Sequence, residues 1–228
     1  MRARPHTSDA RLDYILTCLD LPLPDAPLRV LDIGTGHVAI YALLLHRLRP
    51  TAAVFGSEVD DVSLRHAREV LAANKISGTS DSGGITLIEG TASLLSHPVY
   101  PLSFTLCNPP FFASESEALA SRAAKPEGTS APTCAANEEV TRGGEVAFVS
   151  QMIDESVEHK HECAWFTSLV GKYASLPELV AKVKKVTNNY GVVRLQQRRT
   201  ARWVLIWGFG NDRLSDVSCS LDSADTRQ

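Results

Sequence analysis

Leu28-Arg29-Val30-Leu31-Asp32-Ile33-Gly34-Thr35-Gly36 decides the fold class. A short apolar run, interrupted by Asp32 and closed by two glycines, reads as a buried strand entering a tight turn. Glycine lets the backbone approach a ligand closely, and the helix expected from Val38 to Leu48 opens with unpaired N–H groups. Pro50 stops that helix. Working outward, Thr51 to Phe55 makes a second strand that ends at Glu58, and Asp60 to Asn74 carries a helical pattern with Asp60 or Asp61 as its cap. Ile85 to Ile88 and Phe104 to Cys107 are the third and fourth strands. A helix from Glu145 to His159 places Phe148, Met152, Ile153 and Val157 on one face. Ala164 to Val170 is a fifth strand, Leu176 to Val186 a helix, and Val192 to Gln197 and Trp203 to Phe209 two closing strands. Strands alternating with helices, then two adjacent strands, predict an α/β fold: a Rossmann-like, mostly parallel seven-stranded sheet with helices on both faces.

The chain has 228 residues, 44% of them hydrophobic, enough for one well-buried domain over 28–211. Residues 1–27 form a lead-in, 113–142 a long flexible surface loop rich in Ser, Ala, Glu, Gly and Pro, and 212–228 a polar, frayed tail. No apolar stretch is long enough to span a membrane, and no secretory signal opens the chain, so the expected place is the nucleus or cytoplasm. Cys18, Cys107, Cys134, Cys163 and Cys219 are scattered and read as reduced structural thiols. His159 and His161 read as part of a solvated face; no metal is expected. The formal charge of −3 disfavours tight binding of nucleic acid by the chain as a whole, though Arg194, Arg198, Arg199 and Arg202 cluster late, after Lys182, Lys184 and Lys185.

In open sheets of this kind ligands settle beyond the carboxyl ends of the strands where strand order reverses, which selects the ends of the first, second and fourth strands. Glu58 follows the glycine turn by a little over twenty residues, where an acid accepts hydrogen bonds from a ribose diol. Asp32 before the glycines would repel a pyrophosphate and favours a cationic amino acid moiety, which points to S-adenosylmethionine over a nicotinamide cofactor. Asn108-Pro109-Pro110-Phe111 follows the fourth strand directly. Two prolines stiffen the backbone and remove two donors, leaving a corner that presents acceptors. The Asn108 side-chain oxygen and the Pro109 carbonyl can hold the two N–H bonds of an exocyclic amine, with Phe111 or Phe112 stacking on the base. Each part alone has a structural reading: a mere turn, a solubilising acid, a strand terminator with phenylalanines in the core. Trp203 reads as core packing.

The segments Arg11-Leu12-Asp13-Tyr14-Ile15, Asp32 to Gly36, Glu58-Val59-Asp60, Asn108 to Phe112, Gly143-Gly144-Glu145, Gly171-Lys172 and Gln197 to Trp203 resemble the family that joins eukaryotic methyltransferase-like-16 RNA adenosine-N6 methyltransferases to bacterial 23S ribosomal RNA adenine-N6 methyltransferases. The resemblance runs from about Arg11 to Phe209. It implies a class I methyltransferase fold, S-adenosylmethionine as cofactor and structured RNA, such as U6 small nuclear RNA, as partner. It implies that a segment of the lead-in caps the cofactor, that Arg11, Asp32, Gly34, Thr35, Gly36, Val38, Glu58, Ser93 and Asn108 bind it, and that Asn108, Pro109, Pro110 and Phe111 carry catalysis. Phe112, Lys172, Arg199 and Arg202 would meet the RNA. The sequence departs from the family in the ten residues before Arg11, where members have a longer RNA-binding segment, and at Arg198, where they have glycine. Two other readings fit the same residues: an RNA-binding protein with a cofactor pocket but little turnover, and a methyltransferase acting on protein glutamine or DNA adenine.

Overall fold

The computed structural model describes residues 10–76, 78, 83–97, 99–110, 143–197 and 200–214. Its elements are α1 (Ala10–Leu19), β1 (Arg29–Ile33), α2 (Ile40–Leu48), β2 (Ala53–Glu58), α3 (Asp61–Ala73), β3 (Gly84–Glu89), β4 (Leu102–Cys107), α4 (Gly144–Ser156), β5 (Cys163–Val170), a 3-10 turn (Tyr173–Ser175), α5 (Leu176–Val186), β6 (Tyr190–Gln197) and β7 (Thr200–Trp207). The seven strands form one sheet in the order β3-β2-β1-β4-β5-β7-β6. Five are parallel, and β7 inserts antiparallel between β5 and β6. Strand order reverses between β1 and β4, where the rule for open sheets puts the ligand. The Rossmann-like α/β expectation is met.

Two apolar layers hold helices on both faces. Tyr14, Ile15 and Cys18 of α1, Tyr41, Ala42 and Leu45 of α2, and Ala67 and Leu71 of α3 cover one face. Val149, Met152 and Ile153 of α4 and Leu176, Leu179, Val180 and Val183 of α5 cover the other. Asp60 caps α3 as expected, its carboxylate accepting the Ser63 N–H at 2.7 Å. Among the described residues no helix is long and apolar enough to cross a membrane.

Several expectations need correction. Within the lead-in, residues 10–19 form a helix where no helical pattern was read, its apolar positions spaced to bury one stripe. Helix α2 starts two residues later than expected because Ala39 adopts φ 51°, a left-handed conformation that cannot continue a helix. The buried stripe of α4 is Val149, Met152, Ile153 and Ser156; Phe148 is half-buried and Val157 exposed, so the stripe is rotated by about one residue. Trp203, on the interior strand β7, packs against the core as expected but from its margin, half-buried with its ring 5.4 Å from that of exposed Tyr173, while Trp165 and Trp207 fill the interior. His159 is not solvated: it stacks on Tyr100 at 4.5 Å and pairs with Glu162 at 2.8 Å, whereas His161 is exposed. The tail does not fray straight after Asn211, because Asn189 bonds both the Asp212 carbonyl and the Leu214 N–H, and Arg213 reaches Asn188. The 113–142 loop, Cys134 and Cys219 lie outside the described residues.

Candidate active site

Register brings three strand ends to one level. Ile33 pairs with Ser57 on β2 and with Cys107 on β4. Glu58, the last residue of β2, and Gly34 and Asn108, the first residues past β1 and β4, therefore follow these paired positions at three neighbouring strand ends.

The turn after β1 is built for close approach. Gly34 and Gly36 have φ of 66° and 69°, which glycine alone adopts without strain, and a Cβ at Gly34 would meet nothing within 4 Å. Thr35 is buried and ties the turn down twice, its N–H donating to the Ser57 carbonyl at 2.9 Å and its hydroxyl to Asp32 Oδ2 at 2.6 Å. Asp32 is fully buried, and its Oδ1 has no hydrogen-bond partner among the described residues. Burial pushes its carboxyl up to about 7, the Glu58 charge adding to the effect and the Thr35 hydroxyl opposing it.

Glu58, also buried, accepts the Gly36 N–H on Oε2 at 2.9 Å and the Asp60 N–H on Oε1 at 3.0 Å. A carboxylate has about four lone-pair sites, so two stay available to a sugar diol. The acid braces the glycine turn and the start of α3 while facing the cleft between them.

Asn108 and Pro110 are half-buried and Pro109 is buried at the end of β4. Beneath them β4 and β5 part. Their register runs from Leu102 opposite Cys163 to Phe104 opposite Trp165, after which hydroxyls replace the ladder. Thr167 N–H donates to Thr105 Oγ1 at 3.0 Å, and Thr167 Oγ1 donates to the Thr105 carbonyl at 2.6 Å. Cys107 N–H donates to the Tyr14 hydroxyl at 3.0 Å. Tyr14 comes from α1, is fully buried, and has its phenol pushed well above the ordinary value by burial, then by Cys18 and Cys107, so it stays neutral.

The turn after β5 rests on Glu145. It is 2% exposed, and its carboxylate accepts the Gly171 N–H at 2.7 Å, the Lys172 N–H at 3.0 Å and the Ser175 hydroxyl at 2.6 Å. Gly143 and Gly144, both at positive φ, deliver it there. One Arg202 Nη donates to the Gly171 carbonyl at 3.2 Å, so this half-buried arginine fastens β7 to the same turn. Lys172 is exposed, Arg11 half-buried on α1, and Val38 half-buried before α2. The Ser93 hydroxyl donates to Glu155 at 2.9 Å, and Glu155 also accepts the Leu94 and Leu95 N–H groups. Phe111, Phe112, Arg198 and Arg199 lie outside the described residues. Among the described residues no group of three His, Cys, Asp or Glu side chains is placed to hold a metal ion.

Residues 6–211 match a family model described as RNA methyltransferase. The chain belongs to this family. Its relatives include ribosomal RNA large subunit methyltransferase F of Pseudomonas entomophila, 33% identical over 225 residues, covering 89% of this chain and 70% of the relative. The U6 small nuclear RNA (adenine-(43)-N(6))-methyltransferase of Schizosaccharomyces pombe is 33% identical over 182 residues, covering 78% of this chain but only 46% of the yeast enzyme. Among solved structures, the human Mettl16 catalytic domain in complex with a MAT2A 3'UTR hairpin superposes with a TM-score of 0.78 at 31% identity, over 92% of this chain and 73% of that one. The N-terminal domain of human METTL16 in complex with SAH gives 0.66 at 26% identity, over 92% and 71%.

Tyr14 and Glu145 are buried polar side chains at these strand ends whose hydrogen-bond partners the sequence left unassigned. Thr105 and Thr167, like Ser103 and Ser168, are polar residues in mostly apolar strands. The partners they would find across the sheet were not legible.

Proposed function

We propose that this chain transfers a methyl group from S-adenosylmethionine to the N6 amino nitrogen of an adenosine in structured RNA. The observation that supports the reading is the register that pairs Ile33 with Ser57 and with Cys107, after which Gly34, Glu58 and Asn108 come next in the chain at three neighbouring strand ends. Family membership supports it, as do the adenine-N6 activity named for the yeast relative and the RNA hairpin and SAH bound by the human domain.

The residues fit the cofactor. Open space lies over Gly34, Glu58 keeps acceptor capacity, and the buried Asp32 carboxyl has an oxygen without a hydrogen-bond partner among the described residues. Gly34, Thr35, Gly36 and Glu58 would hold the nucleoside and amino acid parts, with Arg11, Val38, Ser93 and Asn108 completing the wall. When bound, the cofactor supplies a methyl group already activated on a sulfonium.

The chain's own task is then orientation. The Asn108 side-chain oxygen and the Pro109 carbonyl accept the two N–H bonds of the adenosine amine and turn its lone pair toward the methyl donor, while Pro110 keeps the corner stiff. Phe111 stacks on the base, and no strong base is needed. Alignment of this kind contributes several kcal/mol, within the range of proximity effects. Phe112, Lys172 and Arg199 meet the RNA; Arg202 supports the turn that carries Lys172. Such a protein works where its RNA is, in the nucleus or cytoplasm.

Incubation with labelled S-adenosylmethionine and, in parallel, a structured RNA hairpin, duplex DNA and a glutamine peptide tests the reading. Label in the RNA alone is expected. Label in DNA or peptide alone contradicts it, and RNA binding without label would show a binding protein with little turnover.

A further inference from the structure

The seam between β4 and β5 ends directly under Asn108. In a parallel pair each backbone N–H that points at the neighbouring strand finds a carbonyl there. Here that ladder stops after Phe104 and Trp165, and Cys107, the residue before Asn108, gives its N–H to a phenol from a helix 93 positions earlier in sequence. The hydroxyls form a directed chain. Thr167 gives its proton to the Thr105 carbonyl, so Tyr14 donates to Thr167 at 2.7 Å, and the Tyr14 oxygen is left to accept from Cys107. Tyr14, Thr105 and Thr167 are all buried.

We propose that Tyr14 is a positioning residue for methyl transfer: its hydroxyl stands in for the strand partner of Cys107 and fixes the last peptide of β4, aiming the Asn108 and Pro109 acceptors at the substrate amine. The assignment rests on the proposed function. A tyrosine kept only for packing would fill the same space with its ring, and its hydroxyl would not matter to turnover. Helix α1 also carries Arg11, three residues before Tyr14 on the same helix face, so one element would serve both the cofactor wall and the amine corner.

Tyr14→Phe removes the hydroxyl and keeps the ring; Thr167→Val breaks the chain one link on and guards against a fold defect peculiar to the first variant. For each, kcat and KM with a structured RNA hairpin, affinity for S-adenosylhomocysteine and amide exchange at Cys107 would be measured, alone and with Asn108→Ala. The expected result is a kcat lower by about tenfold, with KM and cofactor affinity within about twofold, for either variant. Cys107 amide exchange should rise selectively in Tyr14→Phe. In the Asn108→Ala background Tyr14→Phe should add almost nothing, since both act on one acceptor. Unchanged kcat in both variants, unchanged Cys107 exchange in Tyr14→Phe, or losses that multiply in the double variant would overturn the assignment. Wild-type protein that methylates no RNA, or Asn108→Ala that equals wild type, would instead overturn the functional reading beneath it.

Discussion

Asp32 shows how one buried atom sets a measurable dependence. Its carboxyl is raised to about 7 in the unliganded protein, chiefly by burial. A raised acid favours folding below its unfolded value near 4, and that advantage is lost as pH rises through about 7. The ammonium group of the ligand's amino acid part, placed beside Asp32, would favour the carboxylate, so binding below about 7 should release a proton. Affinity for S-adenosylhomocysteine should therefore weaken by up to about tenfold for each pH unit below 7, and calorimetry on Asp32→Asn should show a flat profile and weaker binding. A wild-type profile as flat as the variant's would remove Asp32 from the site. Gly34→Ala is a separate residue-scale case: a Cβ there meets no protein atom, so the φ of 66° costs only about 1–2 kcal/mol, while ligand access is lost. A modest drop in Tm with a large loss of cofactor affinity is expected; unchanged affinity would mean that nothing approaches this turn.

At the scale of elements, Glu145 ties the start of α4 to the turn that follows β5. Three donors converge on its buried carboxylate, so Glu145→Ala should cost about 2–4 kcal/mol by leaving them unpaired. Denaturant unfolding would show this, and the KM for RNA should rise while cofactor affinity holds, because the turn bears Lys172 and the glycine turn is elsewhere. A variant that loses cofactor affinity and RNA affinity equally would argue against that division. The same contacts explain what was legible in sequence. Strands β1, β2 and β4 were readable because glycine, acid and proline punctuate their ends; alternation with helices pointed to a mostly parallel sheet, but the strand order is seen only in the fold. Helix α1 was not, because its ten residues follow a polar opening and its stability comes from docking Tyr14, Ile15 and Cys18 on the sheet. The role of Glu145 was hidden for a related reason: an acid after two glycines reads as solvent-facing until the fold brings Gly171 to it.

Over the whole molecule, the net charge of −3 leaves RNA affinity to local features. The late arginine cluster read as one footprint, yet Arg202 is engaged with the Gly171 carbonyl, a position set by the antiparallel pairing of Trp203 with Val170. Lys172→Ala should reduce the salt dependence of RNA binding by about one counterion, with log affinity against log salt flattening accordingly. Arg202→Ala should instead lower stability with little change in slope; the opposite pattern would return Arg202 to the footprint. The sheet edge is where sequence and fold agree most closely, because register is fixed by strands buried on both faces and cannot slip without inverting every side chain. The most direct measurement is nucleoside analysis of a structured RNA hairpin after incubation with S-adenosylmethionine and either wild-type protein or Asn108→Ala. N6-methyladenosine should form with wild type and fall by at least about a hundredfold with the variant. Equal yields, or a methyl group at another position of the base, would contradict the account.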